Sequence, residues 1–440
     1  MSLATFRGGV HPYDGKELTK DKAITRLMPK GELVFPVSQH IGAPATPVVK
    51  KGDAVLMGQI IAEAGGFVSS NIISSVSGTV KAVEPRLTPS GAKVNSIIIE
   101  NDGQYTPVEG LGTKRDYKNM TKEEIIDAVK AAGIVGLGGA GFPTHVKLMP
   151  KDPSKIDYII VNGAECEPYL TSDYRVMMET PERLVEGLKI MLSLFDNAKG
   201  VIAIENNKPE AIEKLTELVK DEEKIEVCPL KTKYPQGGER NMVYAVTGRR
   251  LNSRLLPADL GCIVDNVDTV VAIQMAVSET TPLMRRIVTV TGSAVNEPSN
   301  FEVKIGSSFA EVIEAAGGLK EGTKKVIAGG PMMGMALSSV DVPMVKTSSA
   351  VTAFLVDDVE VCKESPCIRC GRCVDACPSH LMPLMLMDAA EACDDEKFVA
   401  LNGMECYECG SCAFVCPAHR PLTQGFKQMR QLVAAKRRKK

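Results

Sequence analysis

Two runs of cysteines near the end of the chain have the residue types and spacing for redox chemistry. The first is Cys367-Ile-Arg-Cys370-Gly-Arg-Cys373-Val-Asp-Ala-Cys377-Pro378, and the second is Cys406-Tyr-Glu-Cys409-Gly-Ser-Cys412-Ala-Phe-Val-Cys416-Pro417. Both read C-x2-C-x2-C-x3-C-P. Three thiolates so close together can reach three irons of one cubane, while the fourth, carried round by the helix that follows, ligates the other cluster. The spacing therefore predicts one [4Fe–4S] cluster on Cys367, Cys370, Cys373 and Cys416, and a second on Cys406, Cys409, Cys412 and Cys377. Structural zinc is the alternative, but zinc prefers two pairs of ligands to two runs of four. Cubanes would make this a protein that moves single electrons.

A second constellation is Gly136-Leu137-Gly138-Gly139-Ala140-Gly141-Phe142-Pro143-Thr144-His145-Val146-Lys147. A lone G-x-G-x-x-G match is weak, because glycines at that spacing also make ordinary turns. Here Gly136, Gly138, Gly139 and Gly141 let the backbone approach a flat ring or a phosphate closely. Phe142 could stack on a ring, and Lys147 could pair with a phosphate. A predicted helix precedes the glycines where a Rossmann fingerprint has a strand, which disfavours a plain dinucleotide loop. After the next predicted strand, Asn162-Gly163-Ala164-Glu165-Cys166-Glu167-Pro168 puts carboxylates where α/β sheets bind ligands. Glu165 and Glu167, one residue apart in an extended segment, should point the same way, a costly arrangement unless a ligand or cation uses it. An exposed acidic turn is the other reading. Cys166, between them, is either a reactive thiol or a packed small residue.

The elements that must position these groups give a multidomain α/β chain. Residues 1–30 form an arm rich in Gly, Pro and charge. Residues 31–110 alternate short β-type runs with turns, as in a biotinyl/lipoyl-like barrel sandwich. The segment from Gly52 to Val80 has no Lys to carry a swinging arm, so this module reads as a docking or scaffold domain. Residues 111–285 alternate helix and strand, predicting a mainly parallel sheet covered by helices. Within them Thr121-Lys122-Glu123-Glu124 is a capping box, Asp157–Asn162 a strand, Thr180-Pro181 a helix start, Gly200–Ile204 a strand and Pro209–Lys220 a helix. Residues 286–356 suit a small β-grasp module. Residues 357–425 form the α-helical two-cluster ferredoxin domain, and residues 426–440 a basic tail.

The chain has 440 residues, 44% hydrophobic and 24% charged, as in an ordinary globular protein. A net charge of −2 gives no case for nucleic acid. The basic end Lys436-Arg437-Arg438-Lys439-Lys440 reads first as a frayed, solvated tail, and second as attraction to an anionic membrane face or an acidic partner. Of 13 cysteines, eight are predicted ligands, leaving Cys166, Cys228, Cys262, Cys362 and Cys393 scattered. The first residues lack the pattern of a secretory signal, and no apolar run approaches the roughly 18 residues that span a bilayer. Thiolate-ligated clusters without an export signal point to a reducing cytoplasm.

Gly136 to Lys147, Asn162 to Pro168, Gly238-Glu239, Gly248-Arg249-Arg250 and Asp265-Asn266-Val267-Asp268-Thr269 resemble the FMN- and NADH-binding subunit of respiratory complex I. That subunit reads G-R-G-G-A-G-F-P-T-G-x-K, N-x-D-E-x-E-P, G-E-E and N-N-V-E-T. The resemblance implies one non-covalent FMN against Gly136, Gly138, Gly139 and Gly141, with Asn162, Glu165, Asp265, Asn266 and Thr269 holding the remainder. It implies that Phe142, Lys147, Glu167 and Glu239 hold the nicotinamide nucleotide, with Glu167, Phe142 and Lys147 nearest the reaction. Departures are Leu137 for Arg, Ala164 for Asp, Cys166 for Gly and Arg240 for the second Glu. Ile204-Glu205-Asn206-Asn207 stands where the family has an aromatic-containing strand.

With two cysteine runs, and with Gly8-Gly9-Val10-His11-Pro12 at the front, the whole order of domains resembles the RnfC family of the Rnf electron transport complexes. That resemblance implies a peripheral subunit on the cytoplasmic side of the cell membrane, in a ferredoxin:NAD+ oxidoreductase coupled to Na+ or H+ translocation. Its partners would be the other Rnf-type subunits, both membrane-embedded and iron–sulfur, with NADH/NAD+ as substrate and ferredoxin reached indirectly. A soluble flavin/iron–sulfur reductase, such as a cobalamin reductase, shares these domains, and a flavin-free cluster scaffold is the non-enzymatic alternative.

Overall fold

Leu33 and Phe35 on one strand are fully buried at the two-residue spacing of the pleat, and its neighbour buries Ile97, Ile98 and Ile99 in succession, so that strand is covered on both faces. In this computed structural model, which describes residues 3–438, they belong to the N-terminal module. Its four-stranded antiparallel sheet runs Glu32–Pro36, Lys93–Asn101, Gly78–Leu87, Ala54–Val55. A three-stranded sheet of Thr46–Pro47, Ile60–Glu63 and Ile72–Ile73 accompanies it. Side chains of both sheets, among them Phe35, Ile61, Ile72 and Val80, join one apolar core with the next domain.

That domain opens on the helix Lys122–Ala131, whose N-terminus carries the reciprocal Thr121–Glu124 capping box. Its sheet is wholly parallel, in the order Ile225–Leu230, Lys199–Glu205, Tyr158–Gly163, Cys262–Asn266. Helices Pro181–Leu192, Pro209–Leu218 and Val267–Glu279 cover it. The helix Ser172–Glu179, not expected from the sequence, fills the space between the acidic turn and the helix opened by Pro181.

The third sheet has six strands, with Arg285–Thr291 and Ser299–Lys304 adjacent within it. Its edge strand is Ile24–Leu27, parallel to Ser299–Lys304, so the N-terminal arm is in part a strand of this sheet. The cysteine-rich region is helical, and its last helix runs Leu422–Arg438. Phe426, Met429 and Val433 of that helix are buried. Residues 426–438 are therefore no loose tail, because apolar side chains three and four residues apart seat them on the helix Pro383–Glu391. Lys436 still pairs with Asp395, and Lys439 and Lys440 lie outside the described residues. The expected class, a β-rich module followed by α/β, β-grasp and helical cysteine domains, is the observed one.

Candidate flavin and iron–sulfur sites

The two cysteine runs fold alike. Gly371 and Gly410 sit at φ 79° and 81°, and Arg369 and Glu408 at φ 56° and 60°, so each run bends twice through left-handed backbone. These bends aim the Arg369 and Glu408 amides at the Cys367 and Cys406 sulfurs, each at 3.4 Å. Cys377, Cys406, Cys409 and Cys412 line one cavity. Cys367, Cys370, Cys373 and Cys416 line another. The fourth cysteine of each run thus crosses to the other set. Among the described residues no group of three or more His, Cys, Asp or Glu side chains converges as a single ion requires. Thiolates spread around a cavity suit a cubane better than zinc. The two sets differ in depth: Cys377 and Cys409 are buried, whereas Cys367 and Cys370 are exposed.

The glycine turn is closed by the Gly136 amide donating to the Phe142 carbonyl at 2.9 Å. The Leu137 amide donates to Thr269 Oγ1 at 2.9 Å, and Arg286 donates to the Leu137 carbonyl at 3.2 Å. Leu137, which stands where the family has Arg, is buried. A Cβ on Gly138 would lie 2.9 Å from the Asn266 side chain, and one on Gly139 would meet nothing within 4 Å. Gly138, Gly139 and Ala140 are exposed, and their amides make no hydrogen bond among the described residues. This is a backbone cradle open to an anion or a ring.

Beneath the turn, Lys147 Nζ donates to the Val264 carbonyl at 2.7 Å and to Asp265 Oδ1 at 3.1 Å. Burial pulls the Lys147 ammonium down, but the charges of Asp265 and Glu239 outweigh it and leave the proton more tightly held. The other Asp265 oxygen is buried without a partner. An orphaned carboxylate oxygen beside a row of free amides suits a polar nucleotide. Asn266 caps the helix Val267–Glu279 and donates to Asp173 at 2.7 Å. Asn162 donates to the Gly237 carbonyl at 2.8 Å.

Glu165 and Glu167 do not point the same way. Glu165 adopts φ 47°, which breaks the extended segment. Its carboxylate turns inward to accept from the Asp173 and Tyr174 amides at 2.7 and 3.3 Å, with Lys16 Nζ 4.0 Å away. Glu167 turns instead to the β-grasp domain, accepting from the Met332 and Met333 amides at 2.6 and 3.1 Å. The structure thus gathers Gly136–Phe142, Lys147, Glu239, Asp265, Asn266 and Thr269 around the turn, whereas Glu165 and Glu167 are satisfied by protein donors. Cys166 Sγ accepts from the Gly237 amide at 3.2 Å, and burial followed by the Glu205 charge pushes its thiol well up. A buried thiol pushed up in this way favours the packed residue of the two readings over the nucleophile.

Sequence reasoning missed the lysines that hold this turn from behind. Lys16 donates to the Glu167 and Leu170 carbonyls at 3.1 and 2.5 Å, and Lys208 to the Ala164 carbonyl at 2.6 Å. Nothing local distinguishes a buried lysine from a solvated one. The cysteine domain is bound to the same region. The Asn241 amide donates to Tyr407 Oη at 2.9 Å, Arg240 pairs with Glu405 at 2.9 Å, and the Gly9 amide donates to the Ala376 carbonyl at 2.9 Å. Val10, Tyr234, Ala376 and Cys409 form a small buried apolar cluster, with Cys166 and Met332 packed against it. Arg240, where the family has Glu, finds its reason here as the partner of Glu405.

Four family models match in chain order: the RnfC Barrel sandwich hybrid domain over residues 4–104, the Nuo51 FMN-binding domain over 129–275, the SLBB domain over 287–336 and the 4Fe-4S dicluster domain over 366–419. Fold and site together define a flavin- and iron–sulfur-containing electron-transfer protein. The subunit designated C in the proton-translocating ferredoxin:NAD(+) oxidoreductase complex of Clostridium ljungdahlii is 48% identical over 385 residues, covering 87% of this chain and 84% of that one. Its counterpart in the Na(+)-translocating complex of Acetobacterium woodii is 42% identical over 99% of this chain and 98% of its own. The chain belongs to the RnfC family, whose members are subunits of ion-translocating ferredoxin:NAD(+) oxidoreductase complexes. An NAD+-reducing [NiFe]-hydrogenase in the air-oxidized state shares the fold at TM-score 0.50 and 21% identity, over 67% of this chain and 57% of that one. Among the described residues no helix is long and apolar enough to cross a membrane.

Proposed function

We propose that this chain is the NAD(H)-handling peripheral subunit of an ion-translocating ferredoxin:NAD+ oxidoreductase, on the cytoplasmic face of the cell membrane. Gly136, Gly138, Gly139 and Gly141 would hold FMN against the turn, with Asn266 and Thr269 supporting the loop from the neighbouring helix. When bound, FMN would accept one hydride, two electrons at once, and release those electrons singly, which joins nicotinamide chemistry to that of the clusters. Phe142, Lys147, Asp265 and Glu239 line the same turn and would orient the nicotinamide nucleotide. Glu165 and Glu167 would act indirectly, by fixing the acidic turn between the cofactor and the cysteine domain.

The observation that carries this reading is the seam between domains. The set of Cys377, Cys406, Cys409 and Cys412 is hydrogen-bonded to the flavin domain beside the acidic turn and has Cys377 and Cys409 buried, whereas in the other set Cys367 and Cys370 are exposed; the remaining two cysteines of each set are half-buried. The order runs from nucleotide cleft to protected cluster to open cluster, which is available for electron exchange with a partner. Ferredoxin would be reached through other subunits of the complex. Likeness to members of such complexes along the whole chain favours this assignment over a soluble reductase.

The test is an anaerobic NADH titration of the purified chain with FMN and iron counted. About one FMN and about eight iron per chain, with flavin bleaching on NADH addition, is the expected result. Iron without bleachable flavin would leave a cluster-bearing scaffold. Co-purification with integral membrane subunits tests the assembly.

A further inference from the structure

The hairpin between Ile60–Glu63 and Ile72–Ile73, where a swinging-arm module would carry its lysine, is braced at every turn. Ser69 Oγ accepts from the Gly65 amide at 2.9 Å and donates to the Ala43 carbonyl at 2.8 Å. His40 Nε2 accepts from the Ser70 amide at 3.1 Å. Lys346, from the β-grasp domain, donates to Ser70 Oγ, the Asn71 carbonyl and the Gly133 carbonyl at 3.0, 2.5 and 2.7 Å. Gly133 lies at the entrance to the glycine turn. At its exit the Ile41 amide donates to the Gly141 carbonyl at 3.2 Å, and a Cβ on Gly141 would stand 3.1 Å from the Gln39 carbonyl. The Phe67 backbone lies close enough to the His145 ring to oppose the burial that pulls its pKa down. The hairpin tip is therefore fixed beside Gly141–His145, on the flank of the open cradle.

Phe67 at that tip is 65% exposed, and it pairs with no other ring among the described residues. The glycine turn itself carries the half-buried ring of Phe142. The strand end at Ile204 and Glu205 is buried and brings none. A large apolar ring on a rigid mount beside an aromatic-poor nucleotide cradle has the makings of a stacking surface.

We propose that Phe67 is a binding residue of the nucleotide site, supplied by the N-terminal module, on which the planar heteroaromatic ring of a nucleotide held at the glycine turn stacks. The inference rests on the functional reading above. The ring is the adenine of the dinucleotide or the isoalloxazine of FMN, which share this stacking chemistry and which the experiment separates.

The test compares F67A and F67W with wild type in the full chain, loaded with FMN and clusters. Loss of one stacking contact weakens binding roughly tenfold. If adenine is the ring, F67A raises the KM for NADH by about that factor with kcat within about twofold, and the KM for reduced nicotinamide mononucleotide, which lacks adenine, stays unchanged. If isoalloxazine is the ring, the Kd for FMN rises by about the same factor. The chain has no Trp of its own, so emission of F67W comes from that position alone; NADH or FMN should quench it, and F67W should restore affinity. Because Phe67 is exposed, iron content and cluster spectrum should match wild type. The proposal is overturned if F67A changes neither constant by more than about twofold and F67W emission ignores both ligands. A wild-type chain that NADH cannot reduce would overturn the functional reading instead, and the FMN and fluorescence measurements, which need no turnover, would still decide the role of Phe67.

Discussion

The Tyr234 hydroxyl donates to the Cys409 carbonyl at 2.6 Å, across the boundary between the flavin domain and the cysteine domain. Tyr234 is 1% exposed, and its backbone also pairs with Val10 of the N-terminal arm. One residue thus ties together three separated stretches of sequence at the loop that carries a predicted cluster ligand. Removing the hydroxyl leaves a buried carbonyl without its donor, a loss of about 1–3 kcal/mol. Y234F should therefore lower the thermal midpoint while keeping iron content, and NADH-driven cluster reduction should slow because the loop is less firmly held. An unchanged midpoint would show that water replaces the hydroxyl, and that the seam is wetter than its burial implies.

The unequal exposure of the two cysteine sets separates their losses. C370S should remove the open cluster, halving iron from about eight to about four per chain, while NADH still reduces the protected one. C409S should also halve iron but should leave the remaining cluster cut off from NADH, though still reducible by dithionite. EPR after each reductant distinguishes the outcomes. If NADH reduces the surviving cluster equally well in both variants, the order from cleft to protected to open cluster is wrong.

Asp173 gives a pH dependence whose sign follows from its surroundings. Burial pushes its carboxyl up to about 7, the Glu165 and Asp268 charges add to this, and Arg286 and the Asn266 hydrogen bond oppose it. An unfolded Asp titrates near about 3.9. The folded state therefore favours the neutral acid, so its contribution is complete below about pH 4 and is lost as pH rises to about 7, at up to roughly 1.4 kcal/mol per unit. D173N keeps an acceptor for Asn266 and cannot ionise. It should be more stable than wild type at pH 8, by on the order of a few kcal/mol, and the gap should narrow to about half by about pH 5.5 and close only near about pH 4. Anaerobic thermal midpoints across that range test this, and parallel curves would mean that Asp173 is ionised at little cost.

Local signals in the chain were legible, and long-range ones were not. The Thr121–Glu124 box and the Pro181 helix start depend on neighbours in sequence and formed as read, and the alternation of helix and strand was followed by a parallel sheet. The cysteine spacing carried its own geometry for the same reason. Glu165 was misjudged because an extended reading ignores the amides of Ser172–Glu179, which draw the carboxylate in and hold its residue at positive φ. Ile24–Leu27 looked like an arm because its partner Ser299–Lys304 lies far along the chain. The helix to Arg438 was hidden by its charges, although Phe426, Met429 and Val433 at helical spacing were there to be read. The buried lysines at positions 16, 208 and 346 had no such signal, since their acceptors are carbonyls brought together by the fold.

Lys346 makes the last of these cases testable. Its side chain is buried, the residue being 1% exposed, and it serves acceptors on both the N-terminal module and the flavin domain, just ahead of the glycine turn. K346M keeps much of the apolar stem but strands three acceptors, at about 1 kcal/mol each, so roughly 2–4 kcal/mol of stability should go. Since the Gly133 carbonyl is one of the three, the same change should loosen the turn and raise the FMN off-rate, while the cysteine sets keep their iron. A purely structural lysine would lower the midpoint and leave flavin release at the wild-type rate when both are compared well below unfolding. K346R is the control: its planar fork cannot direct three donors to these acceptors, so it should restore charge without restoring FMN retention. Full recovery in K346R would show that positive charge, and not the three-way hydrogen bonding, is what the turn needs.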